Sequence, residues 1–241
     1  MEPNTLPTLP DRSIISPSYK RAEKSTVRGV APSCVFVVPE SQKQAYRALH
    51  GPKSVVTVPD ALDGLYGRKI NACIELFKDG DTFALVDDDF LGFRHVKDRA
   101  QVKDSEAVIE AMIDLVRNSD IVFAGWSNTS DPIKVADFKP FSLTKHFFGA
   151  VVIKKTHLRH PEWPRFSDSD YFMQVAHEYR CVFRDNRYFI DANDSKDGGC
   201  ESVEEQHADY SLKLLTKWGS RVVGRASTGR VKAVRSPLTG P

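Results

Sequence analysis

Residues 54–89, SVVTVPDALDGLYGRKINACIELFKDGDTFALVDDD, decide the fold. SVVTV is short, apolar and β-branched, as a strand buried on both faces is. In GLYGRKINACIELFKDG the apolar positions Ile70, Cys73, Ile74 and Phe77 recur at helical spacing, and Asp79-Gly80 ends the pattern. Phe83 to Val86 is a second apolar run, closed by Asp87, Asp88 and Asp89. Strand, helix, strand with continuous apolar strands predicts parallel pairing covered by helices.

Working outward, earlier strands are expected at 14–15 and 34–38, with a helix over 41–50 between a Ser cap and a Gly stop. Later come a helix over 105–117 capped by Ser105 and strands at 121–124 and 147–153. A helix over 169–180, a short strand at 188–190 and a helix over 203–218 complete the pattern. The sequence reads as one α/β domain over 13–225, a mostly parallel central sheet flanked by helices. An unstructured Pro-rich lead-in (1–12) and a basic C-terminal tail (226–241) bracket it.

The 241 residues, 41% hydrophobic, can fill one large core, and no apolar run approaches the ~20 residues of a membrane span. MEPNTLPTLPDR lacks a secretory pattern, and Cys34, Cys73, Cys181 and Cys200 form no CxxC pair, so a cytoplasmic location is expected. Beyond Asp209 there is no acidic residue, whereas Lys213, Lys217, Arg221, Arg225, Arg230, Lys232 and Arg235 follow. Such a segment suits a phosphate-bearing partner, or is a solvated helix and tail.

Adjacent carboxylates ionise together only if a cation offsets their repulsion. Mg²⁺ and Mn²⁺ accept one or two carboxylates plus phosphate oxygens, so an Asp cluster at a strand's end suits a metal–diphosphate site; the bland alternative is a solvated turn. Strand alternation would put Asp87 and Asp89 on one face and Asp88 on the other. Arg68 and Lys69, near the helix start, either reach the same diphosphate or form surface ion pairs. Asp168 and Asp170, in RFSDSDYFMQ, stand where a helix begins: one is expected to cap it, the other to serve as general base on a hydroxyl. His146 and His207 are candidates for a third metal ligand, whereas His157 and His160 have no further ligands beside them. Trp126, Phe147, Phe148 and Trp163 either fill the core or hold a nucleic-acid strand.

The ordered set ISPSYKRAEKST, GLYGRKINACIE, LVDDDF and DSDYFMQ resembles a glycosyltransferase of the GT-A type, which has a Rossmann-like sheet. SYKRAEKST, VFVVPESQKQAY and DGGC make residues 13–225 similar to the phage TET-associated DNA glycosyltransferases. The resemblance implies that Ser16, Tyr19, Arg21 and Arg68 bind the nucleotide of a UDP-sugar, with Asp87 and Asp88 also on the donor side. Asp89, Asp87 and His207 would hold Mn²⁺ or Mg²⁺. Asp168 matches the catalytic aspartate, with Asp170 beside it; Ser167 replaces an acidic residue of the usual motif, which leaves the choice between the two open. The implied reaction is metal-dependent, inverting transfer of a sugar to 5-hydroxymethylcytosine, or a related hydroxymethylpyrimidine, in DNA, in the host cytoplasm of a bacteriophage. A two-metal nuclease or nucleotidyltransferase, and a non-catalytic nucleic-acid-binding module, are the rival readings.

Overall fold

A computed structural model describes residues 6–128, 139–192, 204–220, 223–225 and 231–234, with backbone alone for 204–209, 223–225 and 231–234. Strands β1 (Ile14–Pro17), β2 (Val35–Pro39), β3 (Val55–Val58) and β4 (Thr82–Val86) are all parallel, in the order β3-β2-β1-β4. That is the order of one half of a Rossmann sheet, which reverses direction between its first and fourth strands. Helices α1 (Val27–Val30), α2 (Lys43–His50) and α3 (Tyr66–Ile74) lie in the connections.

Beyond β4 the sheet becomes mixed. β8 (Ala150–Lys154) runs antiparallel between β4 and β6 (Phe123–Ser127); β6 is parallel to β9 (Phe183–Ala192); and β5 (Phe90–His95) and β7 (Phe141–Ser142) pair antiparallel with β9. Helices α4 (Ser105–Arg117), α5 (Ser167–Tyr179) and α6 (Glu204–Trp218) follow in the chain. A separate hairpin of β10 (Val223–Arg225) and β11 (Val231–Val234) takes up part of the segment read as a tail. The expected α/β class, a Rossmann-like central sheet flanked by helices, therefore holds, with antiparallel strands added on one side. Among the described residues no helix is long and apolar enough to cross a membrane.

The alternation of β4 explains the two layers of core. Phe83 and Leu85 face one side with Ile15, Val37, Ile70, Phe147 and Phe172; Ala84 and Val86 face the other with Phe36, Tyr46, Met112 and Trp126. Each fully buried large apolar side chain contributes about 1.5–3 kcal/mol, so both faces of this strand hold the sheet together.

Several local expectations are corrected. Residues 6–12 are not a loose lead-in: Leu6 and Leu9 pack on the core, and Leu9 N and Arg12 N donate to Leu76 O and Thr82 O, each at 2.7 Å. Ser105 does not cap α4; Asp104 does, its Oδ1 accepting from Ala107 N at 2.9 Å, because Ser105 Oγ is buried as acceptor for Phe93 N. Nor does Ser41 cap a helix, since a short 3-10 turn at Glu40–Gln42 precedes α2 and Ser41 bonds Asp60 instead. Neither Asp168 nor Asp170 caps α5: Phe166, at φ 59°, is its N-cap, and both aspartates lie inside the first turn.

Candidate active site

The switch between β1 and β4 opens a crevice at their carboxyl ends, where ligands of open α/β sheets bind. A cleft of about 580 Å³ occupies it, within the usual range for small-molecule sites. Its walls are the end of β1 and the loop after it (Pro17, Tyr19, Lys20, Arg21), the three aspartates after β4, and the entry to α3 (Asp63 to Tyr66, with Lys69 and Ile70). Lys69 Nζ lies 3.2 Å from Asp63 Oδ1 and 5.6 Å from the centre of the Tyr19 ring, so this wall presents a cation, a carboxylate and an aromatic face together.

Asp88 has a different task from its neighbours. The triplet forms a turn, closed by Phe90 N donating to Asp87 O at 3.2 Å, and Asp88 swings into the β1 loop. Its Oδ1 accepts from Arg21 Nη1 at 2.9 Å, its Oδ2 accepts from Ser18 Oγ, and its carbonyl accepts from Thr26 N at 2.9 Å. Ser18 Oγ in turn shares a hydrogen bond with the Tyr46 hydroxyl at 2.6 Å, and that hydroxyl accepts from Arg21 N at 3.0 Å. Tyr46 is wholly buried on α2. One carboxylate and one phenol thus stitch the β1 loop to the acidic turn, and Arg21 is left bridging Asp88 and Asp89, 3.5 Å from Asp89 Oδ2.

Asp87 is fixed by its backbone, its N–H donating to Gly149 O at 2.8 Å. Burial, then repulsion from Asp89, Asp88 and Asp168, pushes its carboxyl up to about 8, and Arg21 only partly opposes this. Carboxylates that cannot all ionise together fit a divalent cation, which removes the repulsion. Asp87 and Asp89 both line the cleft and suit that task, with substrate oxygens and water completing the shell; Asp88 is already spent on Ser18 and Arg21. Among the described residues no three His, Cys, Asp or Glu side chains form a ready-made metal cage. The His207 side chain lies outside the described residues.

Asp168 comes to the same place from α5. It lines a recess of about 20 Å³ with Phe148, Gly149 and His160, which shares Tyr66 and Ile70 with the larger cleft. His146 adjoins it: burial lowers this imidazole's pKa, Asp168 opposes that, and Arg184 adds to it. Among the described residues His146 Nε2 is enclosed without a partner.

The other expected site residues go elsewhere. Asp170 is completely buried on the far side of the α5 turn, accepting from Gln174 Nε2 at 2.6 Å, Lys217 Nζ at 2.8 Å and Trp218 Nε1 at 2.7 Å. Ser16 is buried within β1 and does not line the cleft. Arg68 donates to Glu162 from Nε at 2.9 Å and Nη2 at 2.8 Å; the register of α3 turns Lys69, not Arg68, into the cleft. His160 is buried flat against Tyr171, His157 faces Glu178, and Trp126 and Phe147 are core, whereas Phe148 is exposed. Tyr46, Ser18, Asp63 and Gly149 escaped the sequence reading. Of these, Ser18, in SYKRAEKST, and Tyr46, at the end of VFVVPESQKQAY, lay inside motifs already singled out, but without a role.

No family model matches the chain, and no curated protein does. Among solved structures, the crystal structure of UDP-glucose pyrophosphorylase complexed with UDP-glucose is similar at 11% identity and a TM-score of 0.44, covering 85% of this chain and 100% of that one. Similarity of that degree does not bear on this chain's activity.

Proposed function

We propose that the protein is a glycosyltransferase that moves a sugar from a UDP-sugar to a hydroxyl, with 5-hydroxymethylcytosine in DNA as the acceptor. The observation that carries the reading is the meeting of Asp168 with Asp87 and Asp89 beside a nucleotide-sized cleft. The donor lies in the cleft, its diphosphate toward Arg21 and Lys69 and its base along Tyr19. Asp87 and Asp89 would hold Mn²⁺ or Mg²⁺; a bound cation offsets charge developing on the departing nucleoside diphosphate.

Asp168 has the role of general base. It accepts the proton of the acceptor hydroxyl as that oxygen bonds the anomeric carbon and the carbon–diphosphate bond breaks, which inverts the centre. A single carboxylate facing the sugar from the side opposite the diphosphate is what such a displacement requires. Asp170 is reserved for holding α6. The DNA acceptor is supported by the motif set in the sequence and by the basic residues after Asp209.

The test is incubation with hydroxymethylated DNA, Mn²⁺ and a panel of UDP-sugars, followed by mass spectrometry of the released nucleosides. A hexose added to hydroxymethylcytosine, absent with Asp89→Ala, is the expected result. Chain scission without sugar addition would establish the nuclease reading instead.

A further inference from the structure

Residues 139–148 lead to the Asp168 recess with their backbone fastened and several side chains exposed. Pro140 O accepts from Asn186 N at 2.9 Å, Leu143 O from Val182 N at 3.1 Å, and Lys139 O from Asn186 Nδ2 at 3.2 Å. β7 pairs Phe141 with Asp185 and Ser142 with Arg184. At the far end Asn128 clasps Phe148, Oδ1 accepting from Phe148 N at 2.9 Å and Nδ2 donating to Phe148 O. Extended backbone sends alternate side chains to one face. β7 itself is only Phe141–Ser142, but exposure alternates from 141 to 145, with Phe141, Leu143 and Lys145 exposed and Ser142 and Thr144 half-buried; Lys139 and Phe148 are exposed on either side.

Phe141, Leu143 and Phe148 are 48%, 44% and 48% exposed, on a segment too well anchored to fold them away. The Phe141 ring is further held by stacking on Phe183, 5.6 Å between centroids. Lys139 precedes the Phe141–Leu143 pair and Lys145 separates it from Phe148, so cations interrupt the strip and it lacks the continuous apolar face that a second copy of the chain would cover. Exposed rings interspersed with cations suit a nucleic-acid strand, whose bases stack on aromatic side chains while its phosphates meet cations. The strip also leads to the chemistry: Gly149 O takes the Asp87 N–H, and Phe148 shares its recess with Asp168.

We propose that Lys139, Phe141, Leu143, Lys145 and Phe148 form the acceptor track for a nucleic-acid strand with at least one base out of its stack, an assignment that rests on the transferase reading above. A base against Phe148 stands at the mouth of the Asp168 recess. Lys139 and Lys145 hold the phosphates away from the acidic floor, which would otherwise repel them.

Fluorescence anisotropy with a labelled single-stranded oligonucleotide and the full chain tests this, with UDP-sugar binding followed in parallel by calorimetry. Phe141→Ala and Phe148→Ala should each weaken strand binding about 5- to 100-fold, as loss of one stacked base does. Lys139→Ala and Lys145→Ala should each flatten the salt dependence by about 0.7 in log–log slope. Leu49→Ala, an exposed apolar residue on α2, should change neither. The track is refuted if the wild type binds no strand, or if Phe141→Ala and Phe148→Ala bind as tightly as wild type. It is refuted too if those variants only convert a dimer to a monomer in sedimentation. Intact UDP-sugar binding in those cases overturns the track alone; loss of both overturns the transferase reading.

Discussion

Asparagine at position 170 separates a structural aspartate from a chemical one. Asp170 is 0% exposed and takes hydrogen bonds from Gln174, Lys217 and Trp218. Bonds from the Gln174 amide and the Trp218 indole to a carboxylate are worth about 1.5–3 kcal/mol each. The Lys217 side chain is 43% exposed and falls back on water, so its share is at most about 1 kcal/mol. Asparagine keeps the volume and one acceptor oxygen for Trp218, but turns an NH₂ toward the other two donors. Asp170→Asn should therefore cost about 2–4 kcal/mol, a fall in Tm of about 5–15 °C for a chain of this size. Urea unfolding followed by tryptophan fluorescence measures the loss, and turnover per folded molecule at low temperature should stay within a few-fold of wild type. Asp168→Asn should do the opposite. It unfolds at or above the wild-type midpoint, since it removes a charge that repels Asp87, while turnover falls about 10²- to 10⁴-fold. If Asp170→Asn unfolds like wild type yet abolishes turnover, the division of labour between the two aspartates is wrong.

Tyr46→Phe removes the hydroxyl that bonds Ser18 and Arg21 N without touching the cleft; donor KM should rise about tenfold and stability fall by about 1 kcal/mol, read by initial rates and urea titration. His160, held neutral by burial with a pKa lowered from 6.5 to about 3, makes folding acid-sensitive. The unfolded chain binds its proton below pH 6.5 and the folded chain does not, so stability is full above that pH and declines toward pH 3. Across the whole window the decline is roughly 4–5 kcal/mol, and His160→Phe, which keeps the stack on Tyr171, should flatten it in a pH series of urea midpoints. Gly67→Ala should disturb the donor side, because a Cβ there would sit 1.9 Å from Pro161 O; thermal unfolding should show a loss of about 2 kcal/mol or more.

Strands with continuous apolar runs were the most legible part of the chain. Residues 82–86 are buried throughout and 55–58 bury Val55 on one face and Val58 on the other, and burial leaves a compositional mark that needs no partner to be seen. β9 was legible only at 188–190, because its first half buries polar and charged side chains in a row, Arg184, Asp185 and Asn186, and so lacks an apolar mark. β5 was missed for a related reason: Gly92, at φ 117°, breaks the pattern where Ser105 approaches it. At the site, the carboxylates were legible as a cluster, but their partners were not. Nothing local distinguishes Arg68 from Lys69, or Asp168 from Asp170; a turn of helix decides which of each pair meets the cleft.

The chain's order of apolar runs and acidic punctuation by itself determined an α/β sheet with carboxylates at the end of its fourth strand. Strand burial and helical periodicity are local in sequence, and local patterning suffices for both. Only the tertiary structure decided which charges are committed to holding the protein together. Asp88 is consumed by Ser18 and Arg21, and Asp170 by Lys217 and Trp218, whereas Asp168 lies close enough to Asp87 for the two charges to repel. A carboxylate's role depends on what surrounds it in space, and those neighbours come from segments far apart along the chain.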